Sequence, residues 1–164
     1  KIAAANKDVQ FVVAAVSNLP GDSYLDFKGM SNVQLVEGET YDLLSHADAA
    51  IVTSGTATLE TALFKVPQVV VYKTGGLEYA IASSLVKVPF ISLVNLIAGK
   101  EVIRELIQNN ATKTNLEVEL MKLLNDQPYA DSIKSEYEIL YQLLDTGSAS
   151  ENTARLICEH LNRK

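Results

Sequence analysis

The chain has 164 residues, of which 48% are apolar and 21% charged, so it can bury a full core and is not disordered. Fourteen basic and twenty acidic residues leave a net charge of -6, which argues against binding to the phosphate backbone of nucleic acids. The single cysteine excludes an intrachain disulfide, and no apolar run approaches the ~18 residues that a membrane span requires.

The chain opens on KIAAANKD, which is typical of the end of a helix and lacks an initiator methionine. We therefore expect the sequence to be a piece of a longer protein.

Four short apolar runs rich in β-branched residues predict buried parallel strands, over residues 10–17, 33–36, 49–53 and 68–73. Proline, glycine and aspartate between residues 18 and 28 predict a loop after the first strand.

Helical periodicity separates these strands and continues beyond them. It predicts helices over residues 39–46, 56–66, 77–86, 101–107, 116–124 and 132–144, and a last helix capped by Ser150. The pattern predicts a short extended segment over residues 90–93, followed by a helical turn at Leu96 and Ile97. The alternation predicts an α/β fold, with one doubly wound, Rossmann-like parallel sheet flanked by helices. We expect a single domain over residues 1–164, with a helical C-terminal extension from about residue 115.

Apolar stripes on three helices predict the faces that pack into the core. The stripes comprise Leu59, Ala62, Leu63 and Val66; then Ile133, Tyr137, Leu140, Tyr141 and Leu144; and last Ala154, Ile157, Cys158 and Leu161. The place of Cys158 on the last stripe predicts an inert core thiol. His46 and His160 are isolated in the sequence, so we expect no metal site. The sequence contains neither a G-x-G-x-x-G nor a Walker A pattern.

The sharpest candidate site lies where a buried strand enters a helix, in IVTSGTATLE. Open parallel sheets bind ligands at the edge formed by the carboxyl ends of their strands, and this turn lies at that edge. Gly55 permits a tight turn, and the first helical amides after it have no intrahelical acceptor and favour an anion. Ser54, Thr56 and Thr58 add hydroxyls to this turn, and these are equally well explained as helix caps. Glu60 is either a ribose contact or a carboxylate on a solvated face that the helix dipole stabilises.

A second candidate is ISLVNLIAGKEVIREL. Asn95 stands between apolar residues, so its amide needs partners, and it is either a structural clamp or a ligand contact. We expect Gly99 and Glu101 to open the following helix, with Lys100 and Arg104 close by.

Two runs of the sequence together resemble the lipid-A-disaccharide synthases: SHADAAIVTSGTATLETALFKVPQVVVYKT and VKVPFISLVNLIAGKEVIRELIQ. The SGTATLE turn, the YK strand end and the SLVNLIAGKEV element follow the order and spacing of that family. The resemblance implies an inverting glycosyltransferase of GT-B architecture. This chain would be its C-terminal, nucleotide-binding half, with the N-terminal domain missing. The implied substrates are UDP-2,3-diacylglucosamine and 2,3-diacylglucosamine 1-phosphate, and no cofactor or metal is expected because the UDP-activated sugar is itself a substrate.

The resemblance also implies roles for particular residues. The diphosphate is expected at Ser54, Gly55, Thr56 and Ala57, the ribose at Glu60, and the nucleotide base near Tyr72 and Lys73. Asn95, Gly99, Lys100 and Glu101 are expected to face the cleft as parts of the NLxAGxE element. Lys100 stands where many relatives have arginine, which could weaken bidentate phosphate contact. The resemblance assigns no catalytic base to this chain, since the base is expected in the missing domain.

The implied partners are the chain's own N-terminal domain and, because the substrates are acylated, the cytoplasmic face of the inner membrane. Apolar residues 86–97 are candidates for that contact, and the C-terminal helices are candidates for contact with the missing domain or a second copy. Two alternatives stay open. One is another UDP-sugar enzyme of this architecture, either a nucleotide-sugar 2-epimerase or a cell-wall N-acetylglucosaminyltransferase. The other is a non-catalytic assembly module. NLIAGKE favours the lipid A enzyme over the first alternative.

Overall fold

The computed structural model describes residues 2–27, 29–75, 89–145 and 147–162, which form parallel strands flanked by helices. The strands are β1 (Phe11–Ala15), β2 (Val33–Glu37), β3 (Ala50–Thr53), β4 (Gln68–Tyr72) and β5 (Glu105–Ile107). The helices are α1 (Ile2–Ala5), α2 (Thr40–His46), α3 (Ala57–Leu63), α4 (Leu93–Ala98), α5 (Lys113–Asn125), α6 (Gln127–Leu144) and α7 (Ala149–Leu161). Two 3-10 helices cover Gly21–Phe27 and Gln108–Asn110.

The strands pair in two parallel groups, β1 with β2 and β3-β4-β5 with β4 in the centre. Val69 and Val70 of β4 are fully buried, because this strand is paired on both sides and covered on both faces. Ile51 of β3 is 44% exposed, as expected for a strand at the edge of its group. The α/β class and the parallel strands are therefore confirmed, but the described strands form two groups where one continuous sheet was predicted.

Two stretches near residue 100 differ from the predicted elements. The helix predicted over residues 101–107 is wrong: Glu105–Ile107 pairs with β4, and these long-range backbone bonds override the local helical pattern. The piece before it differs less: the predicted helical turn at Leu96 and Ile97 lies within α4, which begins earlier, at Leu93. Ser92 begins α4 by accepting from the Asn95 amide at 3.3 Å, and Gly99, with φ 68°, ends it. The helix predicted over residues 77–86 lies outside the described residues.

The helical end of the chain is divided between core and surface. From α5 and α6, Leu123, Ile133 and Leu140 pack in one buried cluster with the valines of β4. By contrast, the side chain of Cys158 on α7 is exposed, so the predicted core thiol is wrong. The last helix is capped by Ser148 rather than Ser150, since the Ser148 hydroxyl accepts from the Glu151 amide at 3.3 Å.

Six further residues predicted for the core are exposed instead. They are Leu63 by 48%, Tyr141 by 50% and Leu144 by 41%, and on α7 Ala154, Ile157 by 55% and Leu161 by 64%. On α3, the buried face carries Thr58 and Thr61. Their hydroxyls donate to carbonyls of the same segment at 2.8 Å, so burying them leaves no unpaired donor. An apolar stripe marks a helix face correctly, but threonines whose hydroxyls bond to their own backbone can take the more deeply buried positions.

A buried polar contact joins the start of β4 to α6. The Gln68 side chain is fully buried, and its Nε2 donates to the Thr58 carbonyl at 2.9 Å and to the Tyr137 hydroxyl at 3.1 Å. Burial raises the pKa of the Tyr137 phenol above its ordinary value, because a phenolate would lose its hydration there.

We expect Tyr137→Phe to reduce the loss of stability at alkaline pH. Because the pKa is raised in the folded chain, this phenol's contribution is complete below the unfolded pKa of about 10 and is lost as the pH rises above it. Urea unfolding from about pH 8 to about pH 11 measures the difference, with Tyr141→Phe on the exposed side of α6 as control. A pH slope identical to wild type in Tyr137→Phe would contradict this expectation.

Candidate functional site

The carboxyl ends of β3 and β4 lie side by side, because Thr53 pairs with Val71 in the parallel register. Ser54 directly follows Thr53, and Tyr72 directly follows Val71 as the last residue of β4. Lys73 comes next in the chain, just after the strand. Neighbouring strands are ~4.8 Å apart, so the structure brings the predicted turn and the predicted strand end to one edge. Lys73 is exposed, and none of the ion pairs among the described residues involves it.

The β3–α3 turn (residues 54–57) presents unpaired backbone amides at this edge. Gly55 has a φ of 154°, which L side chains rarely adopt. Within the described part of the chain, the amides of Gly55, Thr56 and Ala57 bond to no protein acceptor. Thr56 makes no side-chain cap bond, and the Ser54 hydroxyl donates elsewhere. The alternative in which these two hydroxyls only cap the helix is therefore wrong, and the amides remain available to an anion.

The Ser54 hydroxyl donates to the Ile91 carbonyl at 2.8 Å, which ties the turn to a segment held by one carboxylate. Glu105 Oε2 accepts from the Ile91 amide at 2.9 Å. Its Oε1 accepts from the Ser92 amide at 3.0 Å, the Ser92 hydroxyl at 2.7 Å and Asn95 Nδ2 at 2.8 Å. Sequence reasoning missed Glu105, because a helix predicted over residues 101–107 leaves this carboxylate without a partner.

Asn95 is fully buried and uses every hydrogen-bonding position of its amide. Besides the bond to Glu105, its Nδ2 donates to the Ile103 carbonyl at 2.8 Å. Its Oδ1 accepts from the amides of Val102 at 2.8 Å and Ile103 at 3.0 Å. The structure thus shows the clamp that the sequence left open, and a ligand contact by this side chain stays a prediction.

Gly99, Lys100 and Glu101 follow α4. The charged side chains of Lys100 and Glu101 each form an ion pair with another side chain. Lys100 Nζ is 2.8 Å from Glu136 Oε1 on α6, and Arg104 Nη1 is 3.0 Å from Glu101 Oε1. Gly99 ends α4 rather than opening a helix. Their contact with a ligand stays a prediction.

Glu60 lies in the first turn of α3 and is partly buried. It lines a surface cleft with residues 38–42, at the start of α2. Two further carboxylates, Glu39 and Asp42, line the same cleft, so its chemistry suits hydroxyl donors better than phosphate. The predicted ribose contact is compatible with this place and is not otherwise tested.

Gln108 is a second polar residue at this edge that sequence reasoning missed. It directly follows β5 with a φ of 49°, unusual for a residue with a side chain. Its Oε1 accepts from the Thr74 amide at 3.4 Å, while its buried Nε2 has no partner among the described residues. Local sequence carries no signal for this, since both features arise from the end of a strand that was predicted as helix.

Among residues 2–27, 29–75, 89–145 and 147–162, no three His, Cys, Asp or Glu side chains lie together so that they could hold a metal ion. None of the helices in the same ranges is long and apolar enough to cross a membrane.

The sequence pattern of the lipid-A-disaccharide synthetase family matches residues 1–157. The lipid-A-disaccharide synthase of Geobacter sulfurreducens is 33% identical over 159 residues, which are 96% of this chain and 41% of that protein. Those of Syntrophus aciditrophicus and Serratia proteamaculans are 43% and 39% identical, over 74% and 77% of this chain. The chain spans between 32% and 41% of the length of these relatives.

We expect Asn95→Ala to destabilise the chain by about 3 kcal/mol, because it leaves buried backbone groups and a carboxylate short of partners. Urea unfolding measures this loss. Asn18→Ala, in an exposed loop, is the matched control and is expected to change stability by less than about 0.5 kcal/mol. Equal unfolding midpoints for the two variants would rule out the clamp as a major source of stability.

Proposed function

Since this chain belongs to the lipid-A-disaccharide synthase family, we propose that it forms the UDP-sugar-binding domain of such an enzyme. The enzyme transfers 2,3-diacylglucosamine from UDP to 2,3-diacylglucosamine 1-phosphate with inversion, and releases UDP. In this proposal the remaining length of the protein forms an N-terminal domain that holds the acceptor and the catalytic base. The proposal includes no cofactor and no metal.

The observation that carries the proposal is the set of three unpaired amides in the β3–α3 turn. They are available to donate hydrogen bonds to the diphosphate at the edge where parallel sheets bind ligands. Because α3 has only seven residues, direct N–H bonds contribute more here than its small dipole does. Lys73, just after the neighbouring strand, adds a cation beside the diphosphate or the uracil base of UDP.

Charge supports a site that relies on backbone donors. The chain has a net charge of -6, and the described cations of the NLIAGKE region, Lys100 and Arg104, are each held by a carboxylate. Both pairs are exposed, so they are weak and could rearrange when a ligand binds. We infer that the amides bind the diphosphate first and that basic groups from the rest of the enzyme complete its neutralisation.

In the proposed transfer, a base from the other domain deprotonates the acceptor hydroxyl, which attacks the anomeric carbon. The bond from that carbon to the β-phosphate oxygen breaks, and the electron pair leaves with UDP. Negative charge therefore grows on the diphosphate in the transition state. Amides that are already oriented toward it stabilise this charge without reorganising. The role of this chain is then to hold the donor and stabilise its leaving group.

The acylated substrates place the proposed enzyme at the cytoplasmic face of the inner membrane. Within residues 86–97, the segment proposed for lipid contact, Leu96 is 37% exposed and Ile97 is 39% exposed. These two side chains on α4 are the exposed large apolar residues among the described members of that segment.

We expect UDP at millimolar concentration to shift the amide resonances of Gly55, Thr56 and Ala57 in the labelled chain. Gly55→Ala should weaken UDP binding about tenfold, since alanine is strained at this φ and the amides turn away. Gly147→Ala, which meets similar strain (φ 78°) in the loop before α7, is the matched control and should bind UDP normally. Shifts elsewhere, with these three amides unmoved, would place the nucleotide at another site.

A donor comparison tests the proposed reaction itself. The full-length enzyme should transfer sugar from UDP-2,3-diacylglucosamine and not from UDP-N-acetylglucosamine, because the proposed substrates carry two acyl chains. Product formation from each donor can be followed with radiolabelled 2,3-diacylglucosamine 1-phosphate as acceptor. Activity with the non-acylated donor alone would favour another UDP-sugar enzyme of this architecture.

A further inference from the structure

We propose that Glu105 is a positioning residue for the β3–α3 turn and acts on it through Ile91. The inference rests on the proposed function, because it assumes that the turn binds the diphosphate of UDP. Glu105 would touch no substrate in this scheme. It would set where the turn's amides stand.

The contacts form a closed ring of bonded elements. β4 pairs with β3 on one side and with β5 on the other, where Glu105 itself pairs with Val70. From β5, the Glu105 carboxylate holds the Ile91 amide at 2.9 Å, and the Ile91 carbonyl in turn holds the Ser54 hydroxyl at 2.8 Å. Ser54 directly follows β3, which closes the ring. The turn is therefore fixed from the sheet twice, once through its own chain and once through Glu105.

The second attachment matters because the first is weak at this point. Gly55 follows Ser54, and glycine lets the backbone adopt many conformations. A bound anion needs its donors held to about 0.5 Å. The hydroxyl bond from Ser54 restrains the turn immediately before this flexible residue. Loss of that restraint would leave every amide present and yet poorly aimed.

The carboxylate cannot be replaced by its amide without losing one of its bonds. Four donors converge on two oxygens, three on Oε1 and one on Oε2. A glutamine in the same place keeps its single oxygen where three donors meet, so its NH₂ group faces the Ile91 amide. Glu105→Gln therefore releases the Ile91 amide and keeps the bond from the Ser92 amide, which shares a planar peptide group with the Ile91 carbonyl. It removes one of the two attachments that lead to the turn and keeps most of the bonds that stabilise α4.

The test measures UDP affinity, kcat and KM for the acylated donor in the full-length enzyme, with wild type, Glu105→Gln, Ser54→Ala and the double variant. We expect Glu105→Gln to weaken UDP binding about threefold, because it removes one of the two Glu105 attachments that lead to the turn. Glu138→Gln, which removes an exposed ion pair with Lys65, is the matched control and should bind UDP like wild type. Both substitutions act on the same connection, from Glu105 through the Ile91 carbonyl to Ser54. The double variant should therefore bind UDP no more weakly than whichever single variant has the lower UDP affinity.

Two outcomes would overturn the inference: normal UDP affinity in a folded Glu105→Gln enzyme, or single-variant effects that multiply in the double variant. Neither resembles failure of the proposed function, in which wild-type enzyme does not bind UDP or Gly55→Ala has no effect. If Glu105→Gln does not fold, Glu105→Asp replaces it in the same cycle. The aspartate keeps both acceptor oxygens on a shorter side chain, and the same two outcomes decide.

Discussion

The segment from Ile91 to β5 depends on two side chains that must be fully paired, the Glu105 carboxylate and the buried Asn95 side-chain amide. A buried amide or a carboxylate removed from water is costly unless each of its positions finds a partner. Meeting that requirement fixes the start of α4 at Ser92, the loop at Ile103 and the beginning of β5 together. The candidate site is built on this arrangement, because the segment so fixed is the one that holds the β3–α3 turn.

The parts of the fold that follow local rules could be predicted. The QVVVY run of β4 is buried on both faces, as β-branched runs in parallel sheets are, and α6 carries its core stripe at helical spacing. β5 could not be predicted, since its three residues become a strand through pairing with β4 and through contacts from Glu105 to residues 13 and 14 positions away. Periodicity likewise identifies the apolar face of α7 without showing whether anything covers it.

At the site, sequence reasoning found the turn and missed what supports it. The order strand, Ser-Gly-Thr, helix is local information, and the predicted turn lies where expected. The partner of the Ser54 hydroxyl is 37 residues away, and no feature of the sequence points to it. Asn95 could be narrowed to two roles from its apolar neighbours, but only its four bonds to residues 102–105 distinguish them. The resemblance implies a phosphate contact for Lys100, which stays a prediction. Its pairing with Glu136 could not be predicted, because it depends on where α6 lies relative to the loop after α4.

The bond between Gln68 and Tyr137 bears on how this part of the protein could be exchanged between relatives. It joins the first residue of the central strand to a helix that sequence reasoning set apart as an extension. Core side chains from α5 and α6 complete the same buried cluster. A chimaera with its junction near residue 115 would therefore separate the sheet from part of its own core. A junction after α6, beyond Leu144, would keep the sheet together with the helices that complete its core.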